Sequence, residues 1–245
     1  MAEQKKTKGR SSKTSKGPGA IGRIRAFCTR WIFRAVLAIM VLAILLTFLF
    51  SIVNPPTTPY MYAEGSRLGE VSHEWVDFED IAPVMARSVV AAEDANFCLH
   101  WGLDVKAIRE AIDEGGARGG STISQQTVKN VFLWQGRSWL RKATEALWTP
   151  LSEAIWTKRR ILELYLNMIE FGEGVFGVQA AAQHYFGVDA SDLSARQAAR
   201  LAVILPLPKE RNATDLSNRL LRRAVQVADG AATIAADGRA DCFSN

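Results

Sequence analysis

Apolar and polar positions divide the chain into stretches of different character. Residues 1 to 20 mix Lys, Ser, Thr and Gly without apolar periodicity, which predicts a disordered tail, taken here as 1–30. Ala35 to Val53 then runs for nineteen residues without a charge. At about 1.5 Å per residue such a helix spans roughly 29 Å against a bilayer core of about 30 Å, so one transmembrane helix is predicted over 31–53. Asn54-Pro55-Pro56-Thr57-Thr58-Pro59 cannot continue a helix and reads as a stiff, extended spacer over 54–60. Residues 61–245 remain for a folded domain.

Within that domain the period is helical. Ile81, Met85, Val89 and Ala92 recur at three- and four-residue steps, Pro83 falls in a first turn where it is tolerated, and Glu93 closes the helix. Further helices are predicted at 104–114, 123–134, 138–149, 151–169, 178–186, 195–205 and 216–236, with Gly102, Gly115, Gly172 and Gly187 at their ends. Few stretches alternate as strands do, so the class is mainly α, without internal repeats. At 245 residues and 48% hydrophobic content there is core enough for one large domain or two lobes.

Charge adds an orientation. Ten of the 30 Lys and Arg lie in residues 1–34, against one of the 25 acids, Glu3, so the remaining 20 basic and 24 acidic residues leave the rest mildly acidic. A nucleic-acid surface is therefore not expected. Basic residues from Lys5 to Arg34 before the apolar run place the N-terminus in the cytoplasm and the folded domain outside. A cleaved signal peptide is the rival, but the run is long for one and Ser51-Ile52-Val53-Asn54-Pro55-Pro56 lacks a small-x-small cleavage pattern. Cys98 and Cys242 would both be exported, where a disulfide is chemically permitted; Cys98 equally suits a small buried filler. No Cys and His spacing suggests zinc.

The candidate chemistry centres on Gly119-Gly120-Ser121-Thr122-Ile123-Ser124-Gln125-Gln126. Paired glycines let a ligand approach the main chain, and Thr122 and Gln125 have capping-box spacing, which starts a helix at Ile123. Free N–H groups at such a start suit a phosphate. Glu93-Asp94-Ala95-Asn96-Phe97-Cys98-Leu99-His100-Trp101-Gly102 precedes this loop. Arg141-Lys142-Ala143-Thr144-Glu145 and Lys158-Arg159-Arg160-Ile161-Leu162-Glu163-Leu164-Tyr165-Leu166-Asn167 follow it. The four blocks, in this order, closely resemble the peptidoglycan glycosyltransferase family (family 51), whose blocks read E-D-x-x-F-x-x-H-x-G, G-G-S-T-I-T-Q-Q, R-K-x-x-E and K-x-x-I-L-E-x-Y-L-N. Ser124 for Thr is the one departure within them and keeps the hydroxyl. The resemblance covers roughly residues 60 to 210 and is closest to the monofunctional biosynthetic form.

The resemblance implies a lysozyme-like helical head with a smaller membrane-proximal lobe. It also implies polymerisation of lipid II into β-1,4 glycan strands, with release of undecaprenyl diphosphate in the periplasm at the cytoplasmic (inner) membrane. It makes Glu93 the general base and Glu145 the second essential carboxylate. Glu145 would act either through a divalent ion such as Mg²⁺ or Mn²⁺ or by orienting basic residues; no organic cofactor is expected. Lys129 and Arg137 match phosphate-holding positions, and Arg141 and Lys142 add positive charge. Gly120, Ser121, Thr122, Gln125 and Gln126 would meet substrate, the two amides a sugar. Asp94, Phe97, His100, Gly102, Glu163 and Asn167 read as structural. Expected partners are lipid II, the nascent strand and the membrane, with room for other cell-wall synthesis proteins.

Chemistry supports the same division of labour. A diphosphate leaving group needs positive charge rather than a proton, whereas a lysozyme-like hydrolase needs an acidic carboxyl and gains nothing from clustered cations. Glu93 at a helix C-terminus meets the unfavourable end of the dipole, which argues against a merely solvating role. Arg141 and Glu145, four apart, could otherwise be an ordinary surface pair, and Phe132, Leu133, Trp134, Trp139 and Trp148 suit either a membrane interface or a core. A glycan-cleaving enzyme and a non-catalytic glycan-binding partner are the rival readings. With no Ser-x-x-Lys, a penicillin-binding transpeptidase domain is not expected.

Overall fold

The computed structural model describes residues 20–113, 120–136 and 138–244. Arg137 and Gly119, and the tail before Ala20, lie outside them. The chain divides into two compact units, Met1–Leu45 and Leu46–Asn245.

Most of the first unit is helix α1 (Ala20–Leu49). It begins within the stretch expected to be tail, so residues 20–30 are helical. Phe27–Leu49 is long and apolar enough to cross a membrane. Phe33 and Ile39 are each 67% exposed, and a helix apolar on all faces is suited to lipid.

In the second unit the end of α1 departs from the predicted span. The helix stops at Leu49, four residues before the apolar run does. Arg160 explains the stop, because its guanidinium donates to the carbonyls of Phe50 and Val53, both at 3.0 Å. Thr47, fully buried, accepts from Trp148 Nε1 at 2.8 Å through its hydroxyl and from Trp156 Nε1 at 2.7 Å through its carbonyl. Phe132 stacks on Phe50, Trp148 and Trp156. The aromatic group thus splits: Phe132, Leu133 and Trp148 pack inward, while Trp134 and Trp139 are exposed.

The expected spacer is non-helical but packed. Pro55 and Thr58 are buried, and the Thr58 hydroxyl accepts from Met61 N, capping a helix, α2 (Pro59–Leu68), that periodicity did not reveal. Helix α3 (Pro83–Glu93) ends at Glu93 as predicted. It packs with α9 (Ala195–Ile204) and α10 (Asn218–Ala236). Helix α4 (Val105–Asp113) precedes α5 (Ile123–Phe132), which lies against α6 (Trp139–Ile155) and α7 (Lys158–Met168). Helix α8 (Val178–Phe186) ends at Gly187.

One boundary moved for a clear reason. Pro150 was expected to separate two helices, yet α6 runs through it and breaks at Trp156-Thr157. An interior proline costs about 3 kcal/mol, but Trp148, Thr149, Ser152 and Trp156 are all anchored around it, and Thr157 supplies the N-cap that starts α7. Three short strands were also missed: β1 (Ser72–His73), β2 (Glu170–Gly172) and β3 (Val175–Phe176) form a sheet ordered β1-β3-β2. Strand β1 is parallel to β3, and β2 is antiparallel to it. The class remains mainly α.

Helix α7 is the buried centre, with Ile161, Leu162, Leu164, Tyr165, Leu166 and Met168 fully enclosed. Its motif residues make contacts that tie neighbouring segments to it. Asn167 accepts from Val76 N and donates to Val76 O, both at 2.9 Å, so its amide acts as a one-residue strand partner. Glu163 accepts from Phe78 N at 3.3 Å and pairs with Arg160 at 2.7 Å. Lys158 donates to the His100 carbonyl and to Glu153, and lies over the Phe97 ring. Phe97 packs against Phe243, and beside it Cys98 is bonded to Cys242, which ties the first motif to the C-terminal segment. The disulfide reading of Cys98 therefore prevails over the filler reading.

Gly102 closes that motif at φ +80°, and a Cβ there would meet Thr149 Cγ2 at 2.7 Å and Glu153 Cγ at 3.0 Å. Gly102→Ala is expected to cost about 3 kcal/mol from the left-handed backbone and the overpacking together, seen as a lower midpoint in chemical denaturation.

Candidate active site

The site is built by one buried carboxylate. Asp94, directly after α3, accepts from His100 Nε2 at 2.8 Å on Oδ1 and from Ile123 N at 3.0 Å on Oδ2. One oxygen closes the first-motif loop and the other caps α5. Thr122 completes the junction: its hydroxyl donates to Gly102 O at 2.6 Å and accepts from Gln125 N at 3.2 Å, while Gln125 Oε1 accepts from Thr122 N at 3.1 Å. The predicted capping box is present.

Two expectations change here. The helix start was read as a phosphate site, but the Asp94 carboxylate already takes the Ile123 N–H, and a second anion beside it would be repelled. Gln125 was read as a sugar contact, but its side chain is buried in the cap. Gln126 remains in the site and has a different first partner: its Nε2 donates to Glu93 Oε2 at 2.9 Å and its Oε1 accepts from Tyr165 OH at 3.2 Å. The buried tyrosine fixes the amide, and the amide aims the carboxylate.

Burial pushes the Glu93 carboxyl above its ordinary value of 4.5, against the opposing pull of Gln126, Lys129 and Arg223. Burial likewise pushes the Lys129 ammonium below its ordinary 10.5; Glu145 and Glu93 raise it, and Arg141 and Lys142 lower it further. Lys129 on α5 thus lies within the field of both the acid at 93 and the charged cluster of α6.

That cluster is not a surface pair. Glu145 is 2% exposed; one oxygen pairs with Arg141 Nη1 at 2.7 Å and the other with Lys142 Nζ. Arg141 also donates to Gly136 O, and Lys142 to the Ser121 hydroxyl at 3.1 Å, which joins the glycine loop to α6. Ser124 donates to Glu153, so the hydroxyl kept in place of threonine is used. Gly120 lies beside Ser121 in the same non-helical approach to α5.

Two cavities flank Pro206. One, of about 300 Å³, includes Gln126, Lys129, Asn130, Tyr60 and Glu170 in its lining; the other, of about 690 Å³, has Glu93 in its wall. The family profile of the transglycosylases matches residues 63–232, a span that holds all four motifs. The chain belongs to the transglycosylase family. It is similar to the biosynthetic peptidoglycan transglycosylase of Jannaschia sp. (strain CCS1), 55% identical over 236 residues, covering 96% of this chain and 99% of the relative. The proteins of that name from Caulobacter vibrioides and Marinomonas sp. (strain MWYL1) are 44% and 46% identical. They cover 80% and 84% of this chain, and 87% and 88% of their own lengths.

The transglycosylase brings Glu93, Gln126 and Lys129 together, and Lys129 with Arg141, Lys142 and Glu145. Both oxygens of Glu145 are paired with cations, so a divalent ion held there would have to displace Arg141 or Lys142. Sequence reasoning missed Tyr165, which orients Gln126, and Tyr60 with Glu170, which hydrogen-bond to each other at the smaller cavity. Tyr165 was visible as the motif's tyrosine, but its partner on α5 was not.

A reaction that uses an ionised Glu93 and a charged Lys129 together should quicken with rising pH as Glu93 deprotonates and slow as Lys129 does. The rate–pH profile is expected to be a bell narrower than ordinary carboxyl and ammonium groups would give, with its acidic limb above 4.5 and its alkaline limb below 10.5.

Proposed function

We propose that Glu93 is the general base for attack of a sugar hydroxyl on a lipid-linked donor, with Lys129, Arg141 and Lys142 stabilising the departing diphosphate. The chain is a peptidoglycan glycosyltransferase of cell-wall synthesis, by its family and by a relative that spans 96% of its length. The finer assignment is carried by one observation: a half-buried acid, held by the Gln126 amide, and a half-buried ammonium act on each other, with no hydrogen bond joining Lys129 to Glu93 among the described residues. Space for reacting atoms lies in the cavities beside them.

In the proposed step the acceptor hydroxyl gives its proton to Glu93 as its oxygen forms a bond to the donor sugar's C1. The bond from C1 to the phosphate oxygen breaks, and its electron pair leaves with the diphosphate. A positioned base contributes about 10²- to 10⁴-fold. The leaving group is already a stable anion, so preorganised cations do the remaining work without reorganising at the moment of reaction. Glu145, between Arg141 and Lys142, orients those cations and limits their mutual repulsion. The substrate is lipid-linked disaccharide pentapeptide, the product a β-1,4 strand, and the lipid released is undecaprenyl diphosphate.

A raised carboxyl would also suit the general acid of a glycan-cleaving enzyme. The cation set weighs against that reading, because a sugar leaving group gains nothing from it. Release of muropeptides from finished cell wall would favour cleavage.

The enzyme is a single-pass protein of the cytoplasmic membrane with its N-terminus inside and its catalytic domain in the periplasm. Ten basic residues ahead of the apolar run support this orientation. The Cys98–Cys242 disulfide is at home in an oxidising compartment. An anchor keeps the enzyme on the surface where its lipid substrate diffuses, which raises their effective concentration.

Glu93→Gln keeps an acceptor for the Gln126 amide and removes the base. Polymer formation from labelled lipid II is expected to fall at least 10²-fold. Because the folded pKa of Glu93 lies above its unfolded value, ionisation costs stability as pH rises through that interval. The neutral variant should therefore melt at or above the wild-type temperature at pH 7. Near-wild-type polymerisation by a folded Glu93→Gln protein would remove the assignment.

A further inference from the structure

The larger cavity has a charge imbalance that the proposed chemistry does not use. Besides Glu93 its wall carries Arg211, Arg219, Arg222 and Arg223. Among the described residues none of the four forms an ion pair. Arg211 donates to Val203 O at 2.7 Å and Arg223 to Ala92 O at 3.4 Å. Carbonyl acceptors orient a guanidinium but do not neutralise it.

Three of these arginines break local rules. Arg219, Arg222 and Arg223 stand at i, i+3 and i+4 on one face of α10, where like charges repel. They also occupy its first two turns, at the end of the dipole that disfavours cations, with no acid in the first turn. Violations of this kind, without a compensating contact inside the fold, belong to binding sites.

The ligand's chemistry follows from position. Lys129 lies in the field of Glu93 and of the α6 cations, and Gln126 and Lys129 line the other cavity, so the leaving diphosphate has its counter-charge there. The larger cavity meets the smaller one only at Pro206, holds Glu93 in its wall and includes none of Lys129, Arg141 or Lys142, so its arginines form a cationic surface separate from that set. Resting on the functional reading above, we propose that this arginine cavity is a subsite for the free carboxylates of the peptide carried on the sugar substrate. Planar guanidinium groups bind carboxylates through paired N–H donors, and a cavity of about 690 Å³ has room for a peptide end.

The test compares two lipid-linked substrates that differ only in whether their peptide carboxylates are free or amidated, using the full-length chain. The variant is Arg219→Gln/Arg222→Gln; Arg223 stays, since its charge also acts on Glu93. Wild type is expected to show a KM about tenfold lower for the free-carboxylate substrate. The double variant should lose that preference by a rise in KM, with kcat and the amidated substrate unaffected and the melting temperature not lowered. Arg219→Lys/Arg222→Lys should retain much of the preference. An equal loss on both substrates would assign these arginines to the diphosphate or to folding, and no loss at all would empty the site; either result overturns the proposal. Wild type that polymerises neither substrate would overturn the functional reading itself.

Discussion

Asp94 accepts one hydrogen bond on each carboxylate oxygen, and the geometry of the candidate site depends on that pair of contacts. His100 on one side closes the loop after α3, and the N–H of Ile123 on the other starts α5. Since Glu93 is the preceding residue, the same clip fixes where α3 ends and where Gln126 and Lys129 begin their turn of α5. A side chain this buried has little water to replace these partners, so loss of either leaves a buried acceptor unsatisfied. The Cys98–Cys242 bond and the packing of Phe97 on Phe243 hold the loop from behind.

On this frame the site keeps its charges incompletely neutralised. Burial costs Glu93 and Lys129 part of their hydration, which moves both pKa values toward neutrality. A direct ion pair would hold both groups ionised and block the space between them. Gln126, steadied by Tyr165, instead occupies one oxygen of the acid and leaves the other without a hydrogen bond among the described residues. The α6 cluster follows the opposite logic, with Glu145 fully paired so that two cations stay close together. The arrangement suits a reaction in which a proton arrives at one end and negative charge departs at the other.

Much of this was legible in the sequence. The end of α3 at Glu93, the capping box of Thr122 and Gln125, and the ring contact of His100 all follow from local spacing or from the motifs. What stayed hidden is long-range or overridden by packing. Ile123 N looked free because Asp94, twenty-nine positions earlier, could not be seen reaching it. Pro150 looked like a break because propensity says so, whereas the anchoring of Trp148 and Trp156 to Thr47 is a contact across more than a hundred residues. The two-residue strands were too short to alternate, and the arginines of α10 had no motif to announce them.

The central claim concerns the ionisation of one carboxyl, and selective ¹³C labelling of glutamate with NMR titration measures it directly. The Glu93 resonance should titrate above 4.5, at the midpoint of the acidic limb of kcat/KM, and should move higher still in Lys129→Met, where the cation that lowers it is gone. A Glu93 midpoint at or below 4.5, unmoved by the loss of Lys129, would contradict the account.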